Sequence, residues 1–254
     1  MTMLSPSLRQ FHGSVYVLTI PSATDRHASV IQQLGDGAFE FVYGVDKNDV
    51  TKDELIEKGI YDEAMARTTD RRNKIMTLGH ICCSLGHRMI YEKFLETHGE
   101  RCLIFEDDVV CLDILEPEIE RAVSSAPDDA ELIYWGWRGG GYSPWYGPAK
   151  QMLYHAQHSL GLLKYDHTMI GNLYARPFNE YFDRAGKHFM THAYSVTRRA
   201  AEILIKWNTP IRLNSDNALM YAVLRGDITA YIARKPLFGQ RSEDVDDSMQ
   251  TLTA

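Results

Sequence analysis

The sequence predicts an α/β fold, a mostly parallel central sheet flanked by helices in one domain spanning residues 1–254. Three observations carry that reading. Residues 14–20 (SVYVLTI), 38–43 and 102–105 are short, nearly all apolar runs with many β-branched or aromatic side chains, the pattern of strands buried on both faces. Between the first two lies a helical stretch, 25–34, opened by Thr24 as its expected cap and closed by Gly35. Strand, helix and strand at that spacing form a βαβ unit with parallel strands. Finally, 254 residues with 44% hydrophobic content supply enough apolar material for a full core.

The remaining elements follow in order. Residues 51–59 read as a short helix stopped by Gly59, and 60–74 as a charged, irregular connection. A long helix is predicted over 75–97, where Leu78, Cys82, Leu85 and Met89 make an apolar face and His80, Ser84, His87 and Tyr91 a polar stripe beside it. The strand 102–105 then runs directly into Glu106-Asp107-Asp108. A helix is expected over 112–124 and a strand over 132–135. Residues 138–188 hold consecutive glycines, several prolines and many Tyr and His with weak periodicity, as in a long functional insertion. Order returns with a strand at 192–197, helices at 198–207 and 215–224, the second stopped by Gly226, and a strand at 228–233; residues 243–254 form an acidic tail.

Charge and composition narrow the partners. Lys+Arg 27 against Asp+Glu 34 give a net charge of −7, and no basic run would neutralise a nucleic-acid backbone. An acidic chain that handles a phosphorylated small molecule needs a cation to mediate the contact. Cys82, Cys83, Cys102 and Cys111 fit neither a disulfide framework nor a zinc site, and His155, His158 and His167 are not spaced as zinc ligands with any of them. Reduced, buried thiols imply a reducing compartment. The first residues do not resemble a signal peptide, and no apolar run reaches the roughly 18 residues of a membrane span. The expectation is a cytoplasmic protein that could touch a membrane surface through an aromatic patch. Nothing in the sequence sets the oligomeric state.

The acids after residue 105 are the main chemical signal. In an extended segment alternate side chains share a side, so Glu106 and Asp108 are expected together. Two such carboxylates repel unless a hard cation such as Mn²⁺ or Mg²⁺ offsets them, with positions left for a diphosphate. The carboxyl end of a parallel strand is also where ligands of open α/β sheets bind. The plain alternative is a solvated turn.

The surroundings of these acids resemble glycosyltransferase family 25, the lipopolysaccharide and collagen galactosyltransferase-like family. Gly79, Cys83, Leu85 and His87 match a helical motif of that family, from which His80, Cys82 and Gly86 depart, and residues 103–109 match its strand ending in Glu-Asp-Asp. Val15 to Arg26, Gly44-Val45-Asp46, Thr191 to Ala201 and Ser215-Asp216 resemble further segments in the family's order. The resemblance implies a GT-A-like, Rossmann-type domain. It also implies an inverting, Mn²⁺-dependent transfer of a hexose, galactose or glucose, from a UDP-sugar to a hydroxyl on a glycan, protein or small-molecule acceptor.

The resemblance, together with the chemistry and position of the residues themselves, suggests roles for them. Asp108 and Glu106 are the expected metal ligands. Asp216 is the candidate base, with helix capping as its alternative role, and Asp107 is the second catalytic candidate. Thr19, Arg26, Asp46, His87 and His192 are expected on the donor side. Trp135, Trp137, Tyr142 and Trp145 are expected to stack on the acceptor or close as a lid, or else to pack as an apolar insertion. Rival readings are a nucleotidyltransferase, disfavoured because Pro21-Ser22-Ala23-Thr24 lacks glycine, and an inactive sugar-nucleotide binding module.

Overall fold

The computed structural model describes residues 4–137 and 141–241; the acidic tail predicted at 243–254 lies outside the described residues. In chain order the elements are α1 (Pro6–His12), β1 (Gly13–Thr19), α2 (Thr24–Leu34), β2 (Glu40–Tyr43), α3 (Lys52–Glu57), α4 (Glu63–Thr69), α5 (Leu78–Leu95), β3 (Arg101–Glu106), β4 (Val109–Cys111), α6 (Glu116–Ser124) and β5 (Leu132–Tyr134). The insertion then supplies α7 (Gly147–Ser159), α8 (His167–Gly171), β6 (Arg176–Pro177) and β7 (Phe182–Arg184). The chain ends through β8 (Ala193–Thr197), α9 (Arg198–Trp207), α10 (Ser215–Arg225), β9 (Ala230–Ala233) and β10 (Phe238–Gln240).

Eight strands form the central sheet in the order β2-β1-β3-β8-β5-β9-β7-β6, and β4 pairs with β10 in a separate ribbon. The first three strands are parallel, as the βαβ pattern requires, and so are β5 and β9. Strand β8 runs antiparallel to β3 and β5, and β7 is antiparallel to both β9 and β6. The α/β class and the Rossmann-type half are as the sequence predicts, with mixed strand directions beyond β3. The reversal of β8 matters for the site. It places the start of that strand, Ala193, beside Phe105 at the end of β3, so residues 186–192 approach along the edge that carries the acids.

Apolar side chains fill both faces of the sheet. Tyr16, Leu18, Ile104, Tyr194 and Leu219 belong to one core; Val17, Leu103, Phe105, Trp135 and Phe182 to the other. Helix α5 lies close to β1. A Cβ on Gly86 would stand 2.5 Å from Leu18 Cδ1, so this helix position needs a glycine or a moved leucine. That contact gives a physical reason for the departure from the family pattern at Gly86.

Several sequence expectations shift. Thr24 is the first residue of α2 and not its cap; Ala23 takes that position with no side-chain bond. Residues 60–74, expected to be irregular, contain α4, capped by the Asp62 carboxylate on Met65 N–H. The start of the helix predicted over 112–124 moves to Glu116, because Val109–Cys111 is spent on β4. The insertion carries two helices and two short strands.

A buried histidine makes a pH prediction. His12 is 2% exposed, bonds Leu8 O at 2.7 Å and meets Trp135 edge-on. Burial lowers its pKa to about 3. The unfolded chain therefore takes up the proton first, and stability falls as pH drops from about 6.5 toward 3. His12→Gln is expected to flatten acid unfolding by up to about 1.4 kcal/mol per pH unit in that window, read from urea midpoints at pH 7, 6 and 5. An unchanged slope would show that His12 is not the acid-sensitive group.

Candidate active site

Strand β3 delivers its three acids into three different environments. Glu106 ends the strand, while Asp107 and Asp108 lie in the turn to β4. The extended geometry assumed from sequence therefore stops at Glu106. All three still act together on Arg26, whose pKa is raised first by its bond to Asp107 and then by Asp108 and Glu106.

Asp107 faces the parallel half of the sheet. Its Oδ2 accepts from Thr19 Oγ1 at 2.6 Å and its Oδ1 from Arg26 Nη1 at 2.6 Å. Thr19 ends β1 and Arg26 lies in the first turn of α2, so the βαβ unit places both there. The Arg26 side chain is still 56% exposed. His27 Nε2 lies 3.1 Å from Thr19 Oγ1 and supports it from the next helix position. Asp46 turns away from this group. Its Oδ2 accepts from Ser22 Oγ and its Oδ1 from the Asn48 amide groups, which lowers its pKa. It braces two loops at the sheet edge.

Asp108 is different. Gln240 Nε2 donates to its Oδ2 at 2.7 Å, and the Arg241 N–H bonds its main-chain oxygen. Its Oδ1 is buried with no hydrogen-bond partner among the described residues. Burial, then the Glu106 charge, raises its pKa. Buried carboxylate oxygens are rarely left bare, and this one fits a hard cation better than it fits a closed protein core. Gln240 reaches it because β10 pairs with β4, with Gln240 opposite Val109.

Glu106 is held by buried polar groups. His87 Nε2 lies 3.1 Å from Glu106 Oε1, and the Thr191 hydroxyl donates to the same oxygen. His87 is 1% exposed, and its Nδ1 lies 2.8 Å from the Tyr194 hydroxyl, itself 2.7 Å from that of Tyr91. Burial alone would lower the His87 pKa, but its hydrogen bonds with Cys83 and Glu106 outweigh it and push the value up to about 10. A protonated His87 donates to Glu106 and to the Tyr194 hydroxyl, which leaves the Tyr194 O–H to donate a hydrogen bond to Tyr91. Burial would raise the Glu106 pKa, yet its bond to His87 holds it below the usual range. Cys83, His87 and Glu106 also form a group whose ligand atoms all lie within 4.8 Å of one another. Helix α5 makes this possible, since Ser84, His87 and Tyr91 share its buried face; His80, placed on the same stripe from sequence, is exposed.

Asp216 joins the group from α10. The cap of that helix is Asn214, whose side chain accepts from Asn217 N–H. The Asp216 carboxylate instead accepts from Met190 N–H at 3.1 Å, and its Oδ1 lies 3.2 Å from Thr191 Oγ1, whose single proton it shares with Glu106. One hydroxyl thus bridges the strand-end acid and the downstream acid. Burial, then Glu106, raises the Asp216 pKa. Met190 holds a φ of 90°, unusual for a residue with a side chain; such strain persists where surrounding bonds fix it.

A sequence model of glycosyltransferase family 25 (LPS biosynthesis protein) matches residues 12–219. The chain belongs to glycosyltransferase family 25. One relative, a glycosyltransferase 25 family member from Aedes aegypti, is 28% identical over 131 residues, covering 48% of this chain and 21% of that protein. The chain thus aligns with about a fifth of that relative's length. Family membership supports a glycosyl-transfer activity. No helix among the described residues is long and apolar enough to cross a membrane.

Within this family-25 chain the remaining candidates separate. His192 is 1% exposed; its Nε2 lies 3.3 Å from Phe238 O and its Nδ1 is buried without a partner among the described residues. It packs against Gly136, where a Cβ would come within 2.2 Å of its Nε2. Trp135 is corrected as an acceptor platform. It is fully buried in the core and donates to Ser195 Oγ at 3.1 Å, so it offers no face to a sugar. Trp137 is half-buried, donates to Ala233 O and packs edge-on against His188. Tyr142 is 45% exposed, and its hydroxyl donates to Asp183; Trp145 is 93% exposed. Sequence reasoning missed Thr191, Tyr194 and Gln240. The first two stand inside a quoted family segment, and an acid-facing strand start could have flagged Thr191. Gln240 carries no signal, because its strand is three residues long.

Proposed function

We propose that this chain is a metal-dependent, inverting glycosyltransferase that moves a hexose, galactose or glucose, from a UDP-sugar to a hydroxyl acceptor. The observation that carries the reading is the bare, buried Oδ1 of Asp108 at the end of β3, beside Glu106. Asp108 would hold Mn²⁺ or Mg²⁺. Glu106 is the second ligand candidate, since its hydrogen bonds among the described residues all fall on Oε1. Bound there, the cation would offset charge on the leaving diphosphate.

The protein's own groups supply the rest. Arg26 fixes Asp107 and keeps exposed donors suited to phosphate oxygens. Thr19 and Asp107 brace the donor edge, and Asp46 stabilises the loops beside it. Asp216 takes the acceptor's proton, and its raised pKa makes it a stronger base than an ordinary carboxylate. His87 sets the orientation and charge of Glu106. Tyr142, Trp137 and Trp145 offer rings for the acceptor.

UDP and Mn²⁺ together, near 100 times Kd, are expected to raise Tm by about 5–10 °C, while either alone gives little. No joint shift would overturn the donor assignment. Asp216→Asn is expected to lower kcat on a UDP-sugar by about 10²–10⁴-fold with that joint shift retained. Normal turnover with lowered stability would return Asp216 to a purely structural role.

A further inference from the structure

The insertion and the connection between α4 and α5 together carry a group of cations that the chemistry above does not use. Arg71 stacks on Tyr154 with its guanidinium carbon 5.1 Å from the ring centre, and its Nη2 donates to the Tyr154 hydroxyl at 3.2 Å. Lys150 Nζ lies 5.6 Å from the centre of the same ring. Lys187 Nζ stands 5.3 Å over Phe189. Tyr154, Tyr174 and Phe189 all pack on one apolar cluster with α8 and α10, so these cations share one wall.

Burial, and then the charges of Arg71, Lys150 and Arg72, lower the Lys187 pKa to about 8. Among the described residues, none of the four makes an ion pair with a carboxylate. The adjacent acid, Asp70, spends its Oδ1 on the backbone N–H groups of Arg72 and Lys74. The Tyr174 hydroxyl is buried with no partner among the described residues. Clustered, partly desolvated cations beside a spare hydroxyl are costly unless an anion completes them.

The position indicates which anion. Lys187 precedes Met190, whose N–H holds Asp216, by three positions, so their Cα atoms lie within about 11 Å of each other. Lys187 thus leads into the segment that carries Met190 and Thr191 to Asp216, whereas Thr19, Arg26 and Asp107 occupy the β1–α2 side. We propose that Arg71, Lys150 and Lys187 form a subsite for an anionic group, phosphate or carboxylate, carried by the acceptor. This rests on the transferase reading for the word acceptor, though the anion site itself does not.

The test uses the full chain with glucose 6-phosphate, glucuronate and glucose as probes, titrated calorimetrically at constant ionic strength. At least one anionic sugar is expected to bind saturably and glucose not, and the phosphate and carboxylate arms distinguish the two chemistries. Lys187→Met and Arg71→Gln are expected to weaken that binding at least tenfold, the loss of one charge-assisted contact. The Lys187→Met protein should melt no lower than the parent, since a repelled cation is removed. Equal binding of glucose, no binding of either anion, or unchanged affinity in both variants would each overturn the subsite. Loss of the UDP/Mn²⁺ shift in these variants would move the cluster to the donor and overturn its acceptor role. Absence of that shift in the parent alone would sink the transferase reading and leave the anion measurement standing.

Discussion

Asp108→Asn is expected to lower metal-dependent turnover of a UDP-sugar by a factor on the order of 10³ while leaving the metal-free protein as stable as the parent or more so. The two halves of that result come from one arrangement. Asp108 Oδ1 is buried and bare, and Glu106 beside it raises the cost of ionising the side chain. An amide of the same shape removes the like-charge repulsion. It keeps an oxygen for Gln240 Nε2, and the main-chain bond from Arg241 N–H is untouched. The folded state thus loses nothing it needs, but the cation loses its charged ligand. Steady-state kinetics across a Mn²⁺ series and a melting curve in chelator check both halves. Full activity would refute the metal assignment. A fall in stability matching the fall in activity would make Asp108 a structural acid.

The fold was legible where the signal was local. β1, β2 and β3 announce themselves through apolar runs with no competing pattern, and α9 and α10 fall at the predicted residues. What sequence could not express is strand direction. Nothing in residues 193–197 says that β8 enters the sheet reversed, yet that reversal carries Thr191 to Glu106. The β4–β10 ribbon was hidden for a similar reason: three-residue strands have no period to detect, and this pairing brings Gln240 to Asp108. The insertion looked structureless because α7 buries little of itself. Leu153 and Met152 are largely exposed on it, so its sequence lacks an amphipathic stripe.

At the site, residue identity was easier to read than partnership. Glu106, Asp107 and Asp108 stood out as a string, and His87 and Asp216 as members of motifs. Their division of labour was not visible, because it depends on the turn after Glu106 sending successive carboxylates in different directions. Asp107 goes to Thr19 and Arg26, Asp108 to Gln240, and Glu106 to His87 and Thr191. Asp216 could equally have been a cap by its position in α10; Asn214 takes that task and frees it.

His87→Ala is expected to cost about 3–5 kcal/mol of stability, the penalty for leaving a largely buried carboxylate without its counter-charge. The side chain is 1% exposed, Glu106 loses its cationic donor, and the Tyr194 hydroxyl loses its donor on the imidazole side. Glu106→Gln should be costly for the mirror reason, since it leaves the imidazolium unpaired. Removing both charges, as His87→Ala with Glu106→Gln, is expected to cost less than the sum of the two single changes, with a coupling of about 0.5–3 kcal/mol. Urea unfolding of the four proteins measures it. Additive costs would mean that the two groups do not act as a pair. A real coupling means that α5 is fastened to the end of β3 by the same charge that sets Glu106 in place. A loosened helix would then weaken UDP and Mn²⁺ binding at temperatures where the protein is still folded, which a ligand titration below Tm in His87→Ala would read directly.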